Sequence, residues 1–220
     1  MTNVIGKNTD RLSWAQELYE RAIFNNDTEA LAISDIELDR VEADLALARG
    51  RVIHVRFLAD RTNEDPRELE LFERAADLYH QLGDGRAEGE ALFWVGIVHQ
   101  VVRGDNLASM PFYERAHGLA IEAGDRLTQS YVVRHFGFAE MAAGQLDDAR
   151  QHFEESVRLR REIGLRPGVA AGLLALADCA FQAERPEEAR KYIEEARSVA
   201  EECGAHGILR WILESEQEMA

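Results

Sequence analysis

Apolar residues recur along this chain at spacings of three and four, and nowhere is there a sustained alternation of two bounded by turn residues. That periodicity predicts amphipathic helices and no strands. In 11–24, DRLSWAQELYERAI, one helical stripe carries Leu12, Ala15, Leu18, Tyr19 and Ala22. Asn25–Asp27 breaks this helix, and Asp27–Thr28 offers a cap for a short successor. Residues 36–60 read as a long helical stretch with an interruption at Gly50. Beyond them the pattern repeats. HQLGD, IEAGD, REIGL and EECGA end successive segments, with Gly83, Gly124, Gly164 and Gly204 separated by 41, 40 and 40 residues. Twenty residues before the last three stand Gly104, Gly144 and Glu184, each in a turn between helices.

The residues that follow those turns fall into columns. Small residues come first (Ser109, Ala149, Ala189), then large apolar ones (Tyr113, Phe153, Ile193). Small residues follow again (Ala116, Ser156, Ala196), then Leu119, Leu159 and Val199. Counted back from Gly83, the same offsets give Glu68, Phe72, Ala75 and Leu78, a fit at every column except the first. Spacings of four, three and three keep all four columns on one helical stripe. Small residues let two helices approach closely, and the large ones fill the space beside them. The terminal glycines suit a left-handed position just past a helix end. Pro66 and Pro186 fall at helix starts, where a missing N–H does no harm. Pro111 allows two readings: a helix that begins near Ser109, or a kink that widens a groove.

The preceding helices carry a large residue before a small one, in Val95–Gly96, Phe136–Gly137 and Leu176–Ala177. With the Gly144–Gln145 turn and the Ala149, Phe153, Ser156 series, these residues resemble tetratricopeptide repeats. The likeness is to the longer, roughly forty-residue variety of bacterial regulatory proteins and some eukaryotic adaptors. It covers about 64–204. Repeat two departs from it, with one extra residue in its first helix. The resemblance implies an all-α fold, an α-α superhelix built from antiparallel helix pairs. The expected organisation is an N-terminal helical extension (1–35), a solenoid over 36–206, and a C-terminal capping helix (207–220). The repeats fall at about 36–84, 85–124, 125–164 and 165–204.

The family's groove positions, carried over one by one, are Glu90, Phe93, Ile97, Gln100 and Val101 in repeat two. Repeat three gives Tyr131, Arg134, Phe138 and Met141, and repeat four gives Leu174, Asp178, Phe181 and Gln182. An apolar trough with a few polar anchors suits an amphipathic helix or extended peptide of a partner protein. Two readings stand beside this one: a small apolar molecule held in a pocket ringed by Phe93, Tyr131, Phe138 and Phe181, or a structural homodimer through Trp211. The N-terminal helices could also fold back and fill the trough as ordinary core. Arg134 and Asp178, in adjacent repeats, read as a structural ion pair, or Arg134 as a clamp for a partner's carboxylate. His99 and Glu140, at equivalent positions, could hydrogen-bond each other.

Composition narrows the partners. Lys+Arg 25 against Asp+Glu 41 gives a net charge of −16, which argues against nucleic acid and against anionic membranes. No apolar run is long enough to span a bilayer, and the N-terminus lacks the apolar core of a signal peptide. Cys179 and Cys203, the two cysteines, fall about 20 Å apart on the predicted hairpin at the helical rise. That distance excludes a disulfide and fits reduced thiols in a cytoplasmic chain. Lys7 and Lys191 are the only lysines, an arginine bias that resembles proteins of high-GC bacteria. GDGRAEG (83–89) lacks the phosphate-loop lysine and reads as a helix end and turn. No zinc, cofactor or nucleophile motif occurs. The expectation is therefore a non-enzymatic adaptor without cofactor, metal or catalytic residues.

Overall fold

The computed structural model describes residues 4–219, with side chains from Asp10 onward. Among these residues all regular structure is helical: α1 (Val4–Asn25), α2 (Thr28–Asp60), α3 (Arg67–Gln81), α4 (Gly85–Ile97), α5 (Asn106–Glu122), α6 (Arg126–Ala142), α7 (Leu146–Glu162), α8 (Arg166–Gln182), α9 (Pro186–Glu202) and α10 (His206–Glu218). They fall into two compact units, one ending at Ser109 and one beginning at Met110. In the first, α1 packs on α2, α2 on α3 and α3 on α4. In the second, α6 pairs with α7 and α8 with α9, α7 packs against α8, and α10 lies on α8 and α9. From α5 onward the helices begin twenty residues apart, at 106, 126, 146, 166, 186 and 206.

The turns set that period. Gly83, Gly104, Gly124, Gly144, Gly164 and Gly204 all adopt φ between 65° and 76°. The turn between α8 and α9 breaks the rule: Glu184 stands in the glycine column and is held at φ 56°. A side chain with a Cβ is strained there by roughly 1 kcal/mol. Aspartates open several of the following helices. Asp84 accepts from the Ala87 N–H at 3.1 Å, and Asp125 accepts from Leu127 and Thr128 at 3.1 and 3.2 Å.

In two hairpins, α2–α3 and α6–α7, the large residue of the second helix meets a glycine of the first. A Cβ on Gly137 would lie 2.7 Å from the Phe153 ring, and one on Gly50 would lie 2.5 Å from the Phe72 ring. Gly50 is therefore a contact point inside an unbroken α2. The interruption expected there is absent, because the glycine's missing side chain is filled by Phe72 and the helix ladder continues. The boundary expected at residue 35 likewise falls inside α2, which also takes the place of the short successor helix after Asp27. Asp27 still caps it, accepting from the Ala30 N–H.

Two further expectations change. Helix α5 begins at Asn106, not near Ser109, and encloses Pro111. Asp105 caps this earlier start through the Ala108 N–H at 2.9 Å. The carbonyl that Pro111 leaves without a donor belongs to Leu107, which is 87% exposed and open to water. The extra residue of repeat two appears as a π-helical turn, Val98–Val102, continuing α4. A single inserted residue widens one turn to i→i+5 hydrogen bonding while the flanking helix keeps its register.

The columns are the core. Phe72, Tyr113 and Phe153 are fully buried, as are Ala75, Ala116 and Ser156. Glu68, the one misfit of the first column, is also fully buried. It is matched by His54 of α2, whose Nδ1 lies 2.8 Å from Glu68 Oε1, while Oε2 has no partner. At the end of the chain Ile212 is fully buried, and Ile208, Leu209 and Trp211 pack against the α8–α9 core. Cys179 and Cys203 are free thiols.

Three measurements in denaturant melts check this packing. Gly137→Ala pushes a methyl into Phe153 and lowers stability by about 1–3 kcal/mol; no change would mean the two helices are not in contact. Glu184→Gly relieves the left-handed strain and raises stability by about 1 kcal/mol. Glu68→Ala leaves His54 facing an empty buried slot, and the loss is about 3–5 kcal/mol; under 1 kcal/mol would place Glu68 in water.

Candidate partner-binding face

The twenty-residue period puts Tyr131, Arg134, Phe138 and Met141 on one face of α6, and Leu174, Asp178 and Phe181 on the equivalent face of α8. The structure brings these two rows together, and Arg134 crosses between them. Its Nη2 donates to the Ala171 carbonyl of α8 at 3.3 Å, and its guanidinium lies 4.5 Å from the Phe138 ring centre. Its Nε is buried and has no hydrogen-bond partner. The ion pair expected between Arg134 and Asp178 is not made. Asp178 instead accepts from Ser215 of α10, whose Oγ is 2.6 Å away. The serine reaches Asp178 because α10 occupies the next place in the stack.

A second arginine lies beside the first. Arg160 of α7 is only 2% exposed. It donates to the Gly168 carbonyl at 2.8 Å, and its guanidinium sits 5.2 Å from the Tyr131 ring centre. Among the described residues, neither arginine pairs with a carboxylate. Burial pushes Arg134 down to about 9, with the neighbouring Arg160 charge adding to the effect and Asp178 opposing it. Burial likewise pushes Arg160 down to about 10. Both remain charged at neutral pH, held among backbone carbonyls and aromatic faces. Burial moves Asp178 the other way, above the usual carboxylate range, against its Ser215 hydrogen bond and the Arg134 charge.

The apolar residues of this face are more enclosed than an open trough implies. Leu174 is buried, and Phe138 and Met141 pack against the core; the Phe138 ring stands edge-on to Phe153 at 5.1 Å. Phe181 is exposed, over a shallow groove shared with Pro186, Ile193 and Met219. Phe138 and Phe181 thus have different neighbours. Trp211 is partly buried against the same core. Glu140 pairs with His152, whose Nδ1 lies 2.7 Å from it.

In the first unit, Phe93, Ile97 and Gln100 are buried. Gln100 belongs to the π-helical turn and donates from Nε2 to Asn106 Oδ1 at 2.9 Å. Glu90 pairs with Arg51 of α2 and, at 3.4 Å, with Arg86. The Arg51 guanidinium also covers the Trp94 ring at 5.5 Å.

Arg160 is the residue the groove pattern misses, since it belongs to the second helix of its hairpin. The sequence does carry a signal for it. Arg160 stands where α5 and α9 have the buried alanines Ala120 and Ala200, a charge flanked in its column by small residues.

The tetratricopeptide repeat family matches residues 126–202, the span from α6 to the end of α9. No curated protein matches the chain. Among solved structures, the crystal structure of BtubC (BKLC) from P. vanneervenii is similar in fold. It is 12% identical, with 93% of each chain covered and a TM-score of 0.50. No helix among the described residues is long and apolar enough to cross a membrane.

Proposed function

We propose that this chain, whose residues 126–202 match the tetratricopeptide repeat family, is a non-enzymatic adaptor that holds a peptide or helix of a partner protein on the α6–α8 face. Arg134 anchors a carboxylate of that partner, and Phe181 supplies the apolar contact. The observation that carries this reading is the state of Arg134: charged, desolvated, with a buried Nε that donates to nothing. A buried cation without a counter-ion is costly. An incoming carboxylate would supply the missing acceptor and the missing charge together, in the planar geometry that guanidinium favours. Arg160 adds a second positive charge to the same locality.

The overall charge of −16 sharpens the specificity. An acidic surface repels a uniformly acidic partner and steers one with basic or amphipathic flanks. The ligand chemistry is then a single carboxylate beside an apolar residue, on a segment that is not strongly acidic elsewhere.

Selection of a random peptide library on the immobilised full chain tests this. Enriched peptides should carry an acidic side chain or a free C-terminal carboxylate next to an apolar residue. Arg134→Gln with Phe181→Ser should weaken them at least about tenfold, with the circular dichroism spectrum unchanged. Peptides that lack a carboxylate, or affinities that ignore both substitutions, would overturn the assignment.

A further inference from the structure

Helix α2 carries an exposed apolar seam with a period of seven. Leu31, Leu38, Leu45 and Val52 repeat strictly every seventh residue, and they are 51%, 42%, 49% and 52% exposed. Three residues beyond the last three stand Val41, Ala48 and Val55, and Val55 is again exposed. Surface helices that only cover their own core do not place large apolar residues at both seam positions on the solvent side.

The second unit shows what such a face does. Gly50 and Gly137 hold equivalent places, each under the aromatic of its hairpin partner. Forty residues after Gly137, Ala177 is their counterpart in α8. Counted from it, Leu45 corresponds to Gly172 and Val52 to Cys179. In α8 these two residues meet the preceding helix: a Cβ on Gly172 would lie 2.6 Å from Val157 of α7, and the Cys179 thiol donates to the Leu146 carbonyl at 3.4 Å. The seam of α2 is thus a stacking face. Helix α1 precedes α2 but lies to one side, its Arg11 reaching Glu37 and Asp44. It leaves the seam open.

We propose that this seam pairs with the same seam of a second copy of the chain, α2 against α2 in antiparallel register. The flanking charges select both the occupant and the direction. Asp35 and Glu42 edge the N-terminal half of the seam, Glu42 also holding Arg74 of α3 at 2.7 Å, and Arg49 and Arg56 edge its C-terminal half. Among the described residues, neither Arg49 nor Arg56 has an ion pair within the chain. Antiparallel pairing sets Leu45 against Ala48 of the second copy, Leu38 against Val55 and Val41 against Val52. The same register sets Glu42 beside Arg49 and Asp35 beside Arg56, each pair occurring twice by symmetry. A parallel pairing would instead oppose Glu37 to Glu42 and Arg51 to Arg56, like charge to like. A shallow groove between α2 and α3 is floored by Val52, Ile53 and Leu71, with Arg49 and Arg56 at its rim. It is where Leu38 and Asp35 of the second copy arrive. This interface shares no residue with the α6–α8 face and does not include Trp211.

Light scattering on the full chain as it elutes from a sizing column tests the proposal. The expected mass is twice the 24.8 kDa of one copy. Leu45→Asp should give the single-copy mass with helical content retained. Arg49→Glu should weaken the dimer about tenfold by placing like charges beside each other, and adding Glu42→Arg to the same chain should restore it. A wild-type chain that elutes as one copy overturns the proposal. So does a dimer that survives Leu45→Asp, a double variant no tighter than Arg49→Glu alone, or a dimer that dissociates on Trp211→Glu.

Discussion

The close approach of a ring to a glycine in the α2–α3 and α6–α7 hairpins is the constraint on which the rest of this structure depends. Phe72 over Gly50 and Phe153 over Gly137 occupy space that any side chain would fill. That contact fixes the separation of the two helices and the rotation of each about its axis. Rotation in turn decides which residues face the neighbouring hairpin and which face outward. A turn with positive φ every twenty residues then delivers each helix to its place. The one chain insertion, in repeat two, is absorbed where it occurs, as the π-helical turn at Val98–Val102. The downstream columns stay in phase for that reason.

Charge inside this frame appears where a small residue is replaced. Glu68 fills the first small-residue column of repeat one, and Arg160 fills a column that is alanine in α5 and α9. Both are buried, and the two sites resolve the cost differently. Glu68 has His54 against it. Arg160 and its neighbour Arg134 have carbonyls, the Ser130 hydroxyl and aromatic faces. A buried charge that is short of a partner is poised to bind, because a ligand removes a penalty that folding left in place.

The two faces argued here suit different partners for a physical reason. The α2 seam is apolar, regular and flanked by charges that complement their own reversal, which favours an identical helix. The α6–α8 face is small, irregular and cationic at its centre, within a chain of net charge −16. On the proposed reading it favours a short segment with a single carboxylate.

The sequence by itself determined the all-α class, the turn glycines and the buried columns. These follow from spacing along one chain, and a helix converts spacing into direction. It also displayed the seven-residue seam of α2 and the charges misplaced among small residues, although neither announces what lies opposite. Tertiary structure alone decided the partners. It set Asp178 on Ser215 and not on Arg134, because α10 takes the next stacking place. It buried Phe93, Ile97 and Leu174, which groove positions alone would leave open. It placed α1 beside the α2 seam and not upon it, and it ran α2 straight through Gly50. Each of these depends on which helix packs next to which, and no local periodicity encodes that choice.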